Sequence, residues 1–387
     1  MPLSTAFRTN ALQVAPTHWT RLERNEIEFV RFGVGHTDGV VIPLRFDTPP
    51  EPGSRGHFAG VTGSELKNAV LAARIPFRID LETWRLPYLL HAADYSFGSD
   101  ARTIVGRAVR LPLKPHAFAD GAAVDALAQA AVIAQVGADV TFAPDFLVRS
   151  LDDPWLAVNL RMIEATRALS PGHSMGVAIH ATLRDVVSGL LPALAARYAD
   201  VVPPGTVCVL TVSDLRENLD ISTLASYFEG IAALDAYGFQ VIADRAGFAS
   251  VASVATFATG CVLGTTKYQT APPSPIFEGE HHPKVLVKYR VARQGRSVNR
   301  DKAMGQLRRG TLPPCRHPHC AARQYETTGE LLPLRLHSAH DVRLELGAVR
   351  AMGAPQMVRI WRRRDQPARL SRIAQAIELA EVRRMAA

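Results

Sequence analysis

The chain has 387 residues, 47 % of them hydrophobic, enough for one large barrel with an appendage or for two or three domains of about 100–200 residues. Its 44 Lys and Arg against 36 Asp and Glu give a formal net charge of +8, which points to an anionic partner, nucleic acid being the commonest. Four cysteines, two of them (Cys208 and Cys261) inside apolar runs, exclude a disulfide framework and suit a reducing cytoplasm. A basic-then-apolar leader pattern is missing and no uninterrupted apolar stretch reaches about 18 residues, so neither secretion nor a membrane is expected.

In chain order, Ile27–Phe32 and Gly39–Leu44 read as strands, a Pro/Gly-rich turn follows at Pro49–Gly56, and Ser64–Ala73 reads as a helix. Pro76–Asp80 is a short apolar strand ending in an acid. That format then repeats. Helix Ala122–Val136 precedes strand Ala138–Asp145, Leu156–Leu169 precedes Met175–His180, and Leu183–Tyr198 precedes Val207–Val212. Ile221–Tyr237 precedes Gly238–Asp244, and Ser250–Ala258 precedes Cys261–Gly264. Strands alternating with helices at intervals of about 25–40 residues mean βαβ units and a parallel sheet. With no Gly-x-Gly-x-x-Gly at the first unit, the pattern favours an α/β fold of the (β/α)8 TIM type over a dinucleotide-binding sheet. Polar residues at strand C-terminal ends would then face the active site: Asp80, Asp145, His180, Ser213 and Asp244.

From Thr270 the character changes. Pro272–Pro275 is a linker, Lys284–Val291 a strand, and Arg293–Arg309 is basic. Helices are expected over Ala339–Met352 and Leu370–Met385. The expected division is a barrel with N-terminal strands over 1–280 and a zinc-binding, basic helical region over 281–387. The run Cys315-Arg-His317-Pro-His319-Cys320, with His340 further on, offers thiolates and imidazoles in number. Zinc prefers four tetrahedral ligands of those types. Cys315, His317, Cys320 and His340 are the expected ligands of a structural Zn2+, and His337, three residues before His340 on the same helical face, is the alternative fourth.

This layout resembles the tRNA-guanine transglycosylases, the queuine and archaeosine tRNA-ribosyltransferase superfamily, whose barrels end in Cys-x-Cys-x-x-Cys and a helical His-Asn-Leu. Here the matching stretches are Cys315-x-His317-x-x-Cys320 and His340-Asp341-Val342, so the resemblance selects His340. The family's Ala-Asp-Ile-Val-Met-Ala-Phe-Asp-Glu is similar to Ala138–Phe146. Its strand ending in Asp-Ser-Gly-Gly-Phe-Gln falls at Ile79–Trp84 with only the Asp kept, as Asp80, and its Gly-Ile-Val-Gln-Gly-Gly at Gly176–Ala181 with the Gln replaced, near His180. In Phe-Asp-Cys-Val-Leu-Pro-Thr-Arg, similar to Thr259–Thr266, the nucleophilic Asp is Gly260 and the Arg is Thr266.

The resemblance, covering about residues 70–350, implies exchange of a purine base in tRNA or DNA for a 7-deazaguanine, including a divergent or DNA-acting branch. It implies proton transfer by Asp80 and base recognition by Asp145. Glycosyl exchange needs one carboxylate to attack the anomeric carbon and another group to move protons. Asp244, one strand before the altered position, is the candidate nucleophile, and His180 a donor to base or phosphate. Trp84 and Tyr88 are candidates for stacking on a base or for packing. Lys284, Lys288, Arg290, Arg293, Arg296, Arg300, Arg308, Arg309 and Arg362–Arg364 are candidate phosphate contacts. Two alternatives stand beside the enzyme: a non-catalytic accessory subunit, assembled as a homodimer or heteromer, and an unrelated barrel enzyme for a small anionic metabolite.

Overall fold

The computed structural model describes residues 18–22, 26–32, 34–43, 63–85, 87, 113–215, 219–264, 288–291, 296–312, 331–363 and 366–386. Eight parallel strands form one sheet: β1 (His18–Arg21), β2 (Gly39–Pro43), β3 (Phe77–Asp80), β4 (Thr141–Phe142), β5 (Met175–Thr182), β6 (Val207–Ser213), β7 (Gln240–Asp244) and β8 (Gly260–Gly264). Their order, β3-β2-β1-β8-β7-β6-β5-β4, is that of a sheet rolled until its edges meet. The seam between β3 and β4 is made by Asp139. Its carboxylate accepts from the Phe77 N–H at 2.8 Å, and its own N–H donates to the Phe77 carbonyl at 3.1 Å. The (β/α)8 architecture expected from the strand–helix rhythm is therefore the fold.

Helices α1 (Ile27–Phe32), α2 (Gly63–Ala72), α3 (Ala122–Ala134), α4 (Pro154–Leu169), α5 (Leu183–Val187), α6 (Leu190–Ala199), α7 (Ile221–Ala236) and α8 (Phe248–Thr256) alternate with the strands. Their starts are chemically marked. Asp153 caps α4 by accepting from Trp155 N–H at 3.0 Å, ahead of Pro154, whose missing N–H costs nothing in the first turn. Asp220 caps α7 through Thr223 N–H at 2.9 Å, and Thr182 with Asp185 forms a capping box on α5.

Three expectations need correction. Ile27–Phe32 is a helix, because Phe29 and Val30 are buried while Glu28, Arg31 and Phe32 are exposed, one-sided burial instead of strand alternation. The strand that precedes it, β1, was not expected. The single helix over Leu183–Tyr198 is two, broken where Gly189 adopts φ +82°. The strand over Ala138–Asp145 shrinks to Thr141–Phe142, with Asp139 taken up by the seam and Pro144 unable to donate to a ladder.

Inside the barrel, Trp19, Val41, Phe142, Val209, Ile242 and Val262 make an apolar layer. Two glycines make room for its aromatics. A Cβ at Gly39 would lie 2.6 Å from the Trp19 ring, and one at Gly176 would lie 2.5 Å from that of Phe142. Because side chains alternate along a strand, the inward positions one step further along are Arg21, His180, Thr211, Asp244 and Gly264. Phe77 and Ile79 face outward into the helical layer, so Arg78 and Asp80 also point inward.

Beyond the barrel, β9 (Lys288–Val291) and β10 (Arg296–Asn299) form an antiparallel hairpin followed by α9 (Arg300–Arg308), α10 (Leu331–Met352), α11 (Ala354–Trp361) and α12 (Ala368–Ala386). The α10 helix begins well before the expected Ala339. Val342, Leu346, Val349, Met357, Ile373 and Ile377 of these helices join the same buried core as α7 and α8. The C-terminal helices thus complete the barrel's outer wall. Among the described residues, no helix is long and apolar enough to cross a membrane.

Candidate active site at the barrel mouth

The four acid and imidazole residues expected at the mouth all lie at strand C-terminal ends. Asp80 and Asp244 are the last residues of β3 and β7, His180 is two residues before the end of β5, and Asp145 follows β4. His180, Thr211 and Asp244 are direct cross-strand neighbours on β5, β6 and β7.

Asp244 is buried and its Oδ2 is fully engaged, accepting from Thr211 Oγ1 at 2.7 Å and from Arg245 Nε at 2.8 Å. Oδ1 has no hydrogen-bond partner among the described residues. Burial would raise this carboxyl, but the guanidiniums of Arg245, Arg78 and Arg21 outweigh it and hold Asp244 below the usual carboxylate range. Asp80 shows the same balance. Burial opposes its charge, while Arg21 first, then Arg245, Arg78 and His180, hold it ionised. The same three guanidiniums, Arg21, Arg78 and Arg245, thus act on both Asp80 and Asp244, each at an inward strand end.

Arg21 is the clamp between strands. It is fully buried at the end of β1, donating through Nη1 to Asp80 and through Nη2 to Glu82 at 2.8 Å. The Glu82 N–H in turn donates to Asp80 Oδ1 at 3.1 Å. Despite burial, the two carboxylates raise the Arg21 guanidinium further. A carboxylate held this firmly in its charged form is a poor proton carrier at neutral pH, which counts against the proton-transfer role expected of Asp80.

His180 is oriented by Asp145, to whose Oδ2 its Nδ1 is hydrogen bonded. A carboxylate only accepts, so Nδ1 carries the hydrogen. Asp145 itself is fixed by its backbone: its N–H donates to Thr83 Oγ1 at 2.8 Å, and that hydroxyl donates to the Asp145 carbonyl at 2.7 Å. The next residue is held by Asn159, which accepts from Phe146 N–H and donates to Phe146 O, at 2.9 and 2.8 Å. Trp84 is fully buried with its ring 5.6 Å from that of His180, so it packs behind the imidazole and is not open to stack on a base. Tyr88 lies outside the described residues.

Strand parity could have identified Arg78, two residues before Asp80 on the same face. Arg21 and Glu82 carried no such signal, since the strand bearing Arg21 was not recognised and Glu82 lies beyond a strand end. Gly260, where the resembling family has its nucleophile, is the first residue of β8. It pairs with Ile242 in the apolar layer, below the level of Asp244.

Of the expected zinc ligands, Cys315, His317 and Cys320 lie outside the described residues. The α10 helix carries the two candidates for the fourth. His337 is buried, its ring stacked on Tyr289 at 4.8 Å and its Nε2 3.1 Å from the Arg290 carbonyl, which ties it to the hairpin. His340 is half-buried, edge-on to His36 at 5.2 Å, and borders a groove of about 620 Å³ with Arg343 and Gly347. Both candidates are thus engaged on α10, His337 by the hairpin and His340 by His36. The basic candidates also divide. Arg290 is buried over the Phe248 ring at 4.0 Å and paired with Glu345, so it is not a phosphate contact. Arg362 pairs with Glu378 at 2.9 Å. Arg308 and Arg309 are exposed at the end of α9, with Arg300 half-buried at its start beside Asp301; Lys288, Arg296 and Arg363 belong to described segments, and Lys284, Arg293 and Arg364 do not.

The sequence matches no protein-family model and none of the curated proteins. Among solved structures it is similar to xylanase B from Clostridium stercorarium, at 12 % identity and a TM-score of 0.38 over 64 % of this chain and 84 % of that one. It is also similar to the intracellular xylanase of Thermoanaerobacterium saccharolyticum, at 12 % identity and a TM-score of 0.37 over the same shares. Likeness at that level bears on neither substrate nor mechanism.

Proposed function

We propose that the barrel mouth is a glycosyl-transfer site of the transglycosylase type, exchanging a purine base in tRNA or DNA for a 7-deazaguanine. The observation that carries this reading is Asp244, a carboxylate with Oδ2 held by two donors, Oδ1 left without a partner among the described residues, and arginines that keep it anionic. That is what covalent attack on an anomeric carbon requires. Asp244 Oδ1 forms a bond to the ribose C1′ as the N-glycosidic bond breaks, and the electron pair leaves on the base. His180, its Nδ1 fixed on Asp145, acts as the imidazolium and delivers its Nε2 proton to that base, becoming the neutral imidazole that takes a proton back from the incoming base. The incoming base reverses both steps. Asp80, anchored by Arg21, stabilises the cationic sugar, and Asp145 contributes to holding the base.

A structural Zn2+ on Cys315, His317, Cys320 and His340 would tie the C-terminal segment to α10, and Arg308 and Arg309 would meet phosphates. The compartment proposed is the cytoplasm. The test is incorporation of labelled guanine into tRNA, single-stranded DNA or duplex DNA. Incorporation that Asp244→Asn abolishes supports the reading; none with any nucleic acid defeats it. Gly260, standing where the resembling family has its nucleophilic Asp, favours a second reading, a non-catalytic nucleic-acid-binding subunit.

A further inference from the structure

Arg78 is 3 % exposed on β3, under the Asp80 position, with its guanidinium 5.2 Å from the centre of the Phe142 ring. Its Nε and Nη2 have no hydrogen-bond partner among the described residues, and no carboxylate there forms an ion pair with it. Its neighbours are differently placed: Arg21 is spent on Asp80 and Glu82, and Arg245 on Asp244. Arg78 is thus a buried cation with two donor nitrogens left without a partner among the described residues, a costly arrangement unless something else meets them. Asp244 and Asp80 are near enough to favour its charge, but burial is the stronger effect and leaves the guanidinium below its ordinary range.

The two orphan nitrogens matter together. Nε–H and the outer N–H of Nη2 lie on one edge of the planar guanidinium, parallel and spaced for the two oxygens of one oxyanion. Two further buried groups at the C-terminal ends of other barrel strands, Arg21 Nε on β1 and Ser213 Oγ on β6, are also without partners among the described residues.

We propose that the Nε/Nη2 edge of Arg78 is a bidentate oxyanion subsite on the floor of the barrel mouth, taking a carboxylate or phosphate group of a ligand. This goes beyond the base-exchange reading and does not depend on it. In a nucleic-acid substrate the group would be a backbone phosphate; in a small metabolite, a carboxylate or phosphate ester.

The test uses the full chain and no nucleic acid. Sodium acetate and inorganic phosphate are each titrated at constant ionic strength with chloride as the balancing ion. Binding is followed by melting temperature and by the Nε–H resonances of [15N]arginine-labelled protein. The expected result is saturable stabilisation by at least one of the two, with a shift of the Arg78 Nε–H signal, assigned by its loss in Arg78→Lys. Saturation by acetate alone assigns a planar carboxylate, by phosphate alone a phosphate group. Arg78→Lys keeps the charge but removes the fork, so affinity should weaken about tenfold or more. No saturable binding of either anion, or binding unchanged in Arg78→Lys, overturns the proposal. Should the variant fail to fold, wild-type arginine Nε–H signals that none of the additions moves overturn it equally.

Discussion

Arg245 donates through Nε to Oδ2 of Asp244, the residue immediately before it, at 2.8 Å. Consecutive side chains on a strand point to opposite faces, so this contact needs the chain to turn. It does so at Arg245, whose φ of 53° is in the left-handed region that non-glycine residues occupy at a cost of about 1–3 kcal/mol. Glu82 and Asp214, at φ 49° and 61°, do the same just beyond β3 and β6. Three of the four described non-glycine residues with positive φ, Arg74 being the fourth, thus follow strand ends at the mouth, and at Glu82 and Arg245 the turn brings a charged side chain into the cluster.

Asp244→Asn should therefore lower base exchange by about 10⁴-fold or more while nucleic-acid affinity is nearly kept, because an amide retains the shape but not the nucleophile. Asp244→Ala should cost about 3–5 kcal/mol in denaturant unfolding, since it strands the buried Arg245. Exchange unaffected by the Asn variant would remove Asp244 from the chemistry.

Asn159 is buried and spends its amide on both backbone groups of Phe146 and on the Tyr198 hydroxyl at 3.0 Å. Asn159→Leu should cost about 1–3 kcal/mol by orphaning the Phe146 N–H. It should also loosen Asp145 and with it the His180 orientation. The measurement is unfolding free energy beside exchange rate; a stable variant of full activity would contradict the account.

His18 supplies a pH dependence. Burial pushes its imidazole down to about 4, helped by Arg290 and Arg343 and opposed by Asp38. Between that value and the ordinary 6.5 the unfolded chain holds a proton that the folded one does not. Stability is therefore complete above about pH 7, falls by up to about 3 kcal/mol toward pH 4, and loses nothing more from this residue below that. His18→Gln should flatten that part of the profile in melts at fixed ionic strength; an unchanged slope would assign the loss elsewhere.

Purified protein should contain about one zinc per chain. Cys320→Ala and His340→Ala should each release it with a fall in stability, whereas His337→Phe should weaken the hairpin contact and keep the metal. Metal analysis of the fresh protein and these three variants decides it. Zinc lost from His337→Phe but retained in His340→Ala would reverse the assignment.

Nucleic-acid binding, if carried by phosphates, should weaken steeply as salt rises. Replacing Arg308 and Arg309 together by Ala should lower affinity for all sequences alike and reduce the slope of log K against log salt by about 1–2. The same change at Arg362 should matter less, because Glu378 already neutralises it. An unchanged slope in the Arg308/Arg309 variant would move the contact to another face.

The sequence by itself determined the repeating framework. Helices such as Ile221–Ala236 and strands such as Gln240–Asp244 come from local periodicity, caps and turn residues, and their alternation implies a parallel barrel with acids at one end. Asp80, Asp145, His180 and Asp244 were legible for that reason: a polar residue closing an apolar strand is a local pattern. What only the tertiary structure decided is which groups meet. Arg21 lies on a strand too short to show alternation, and its partners Asp80 and Glu82 are on another strand and the loop beyond it, joined only when the barrel closes. His337 and His340 share a helix face in sequence, but the hairpin packs on one and His36 on the other. Hydrophobic periodicity records which way a residue faces. It does not record what arrives opposite, which depends on contacts between segments far apart in the chain.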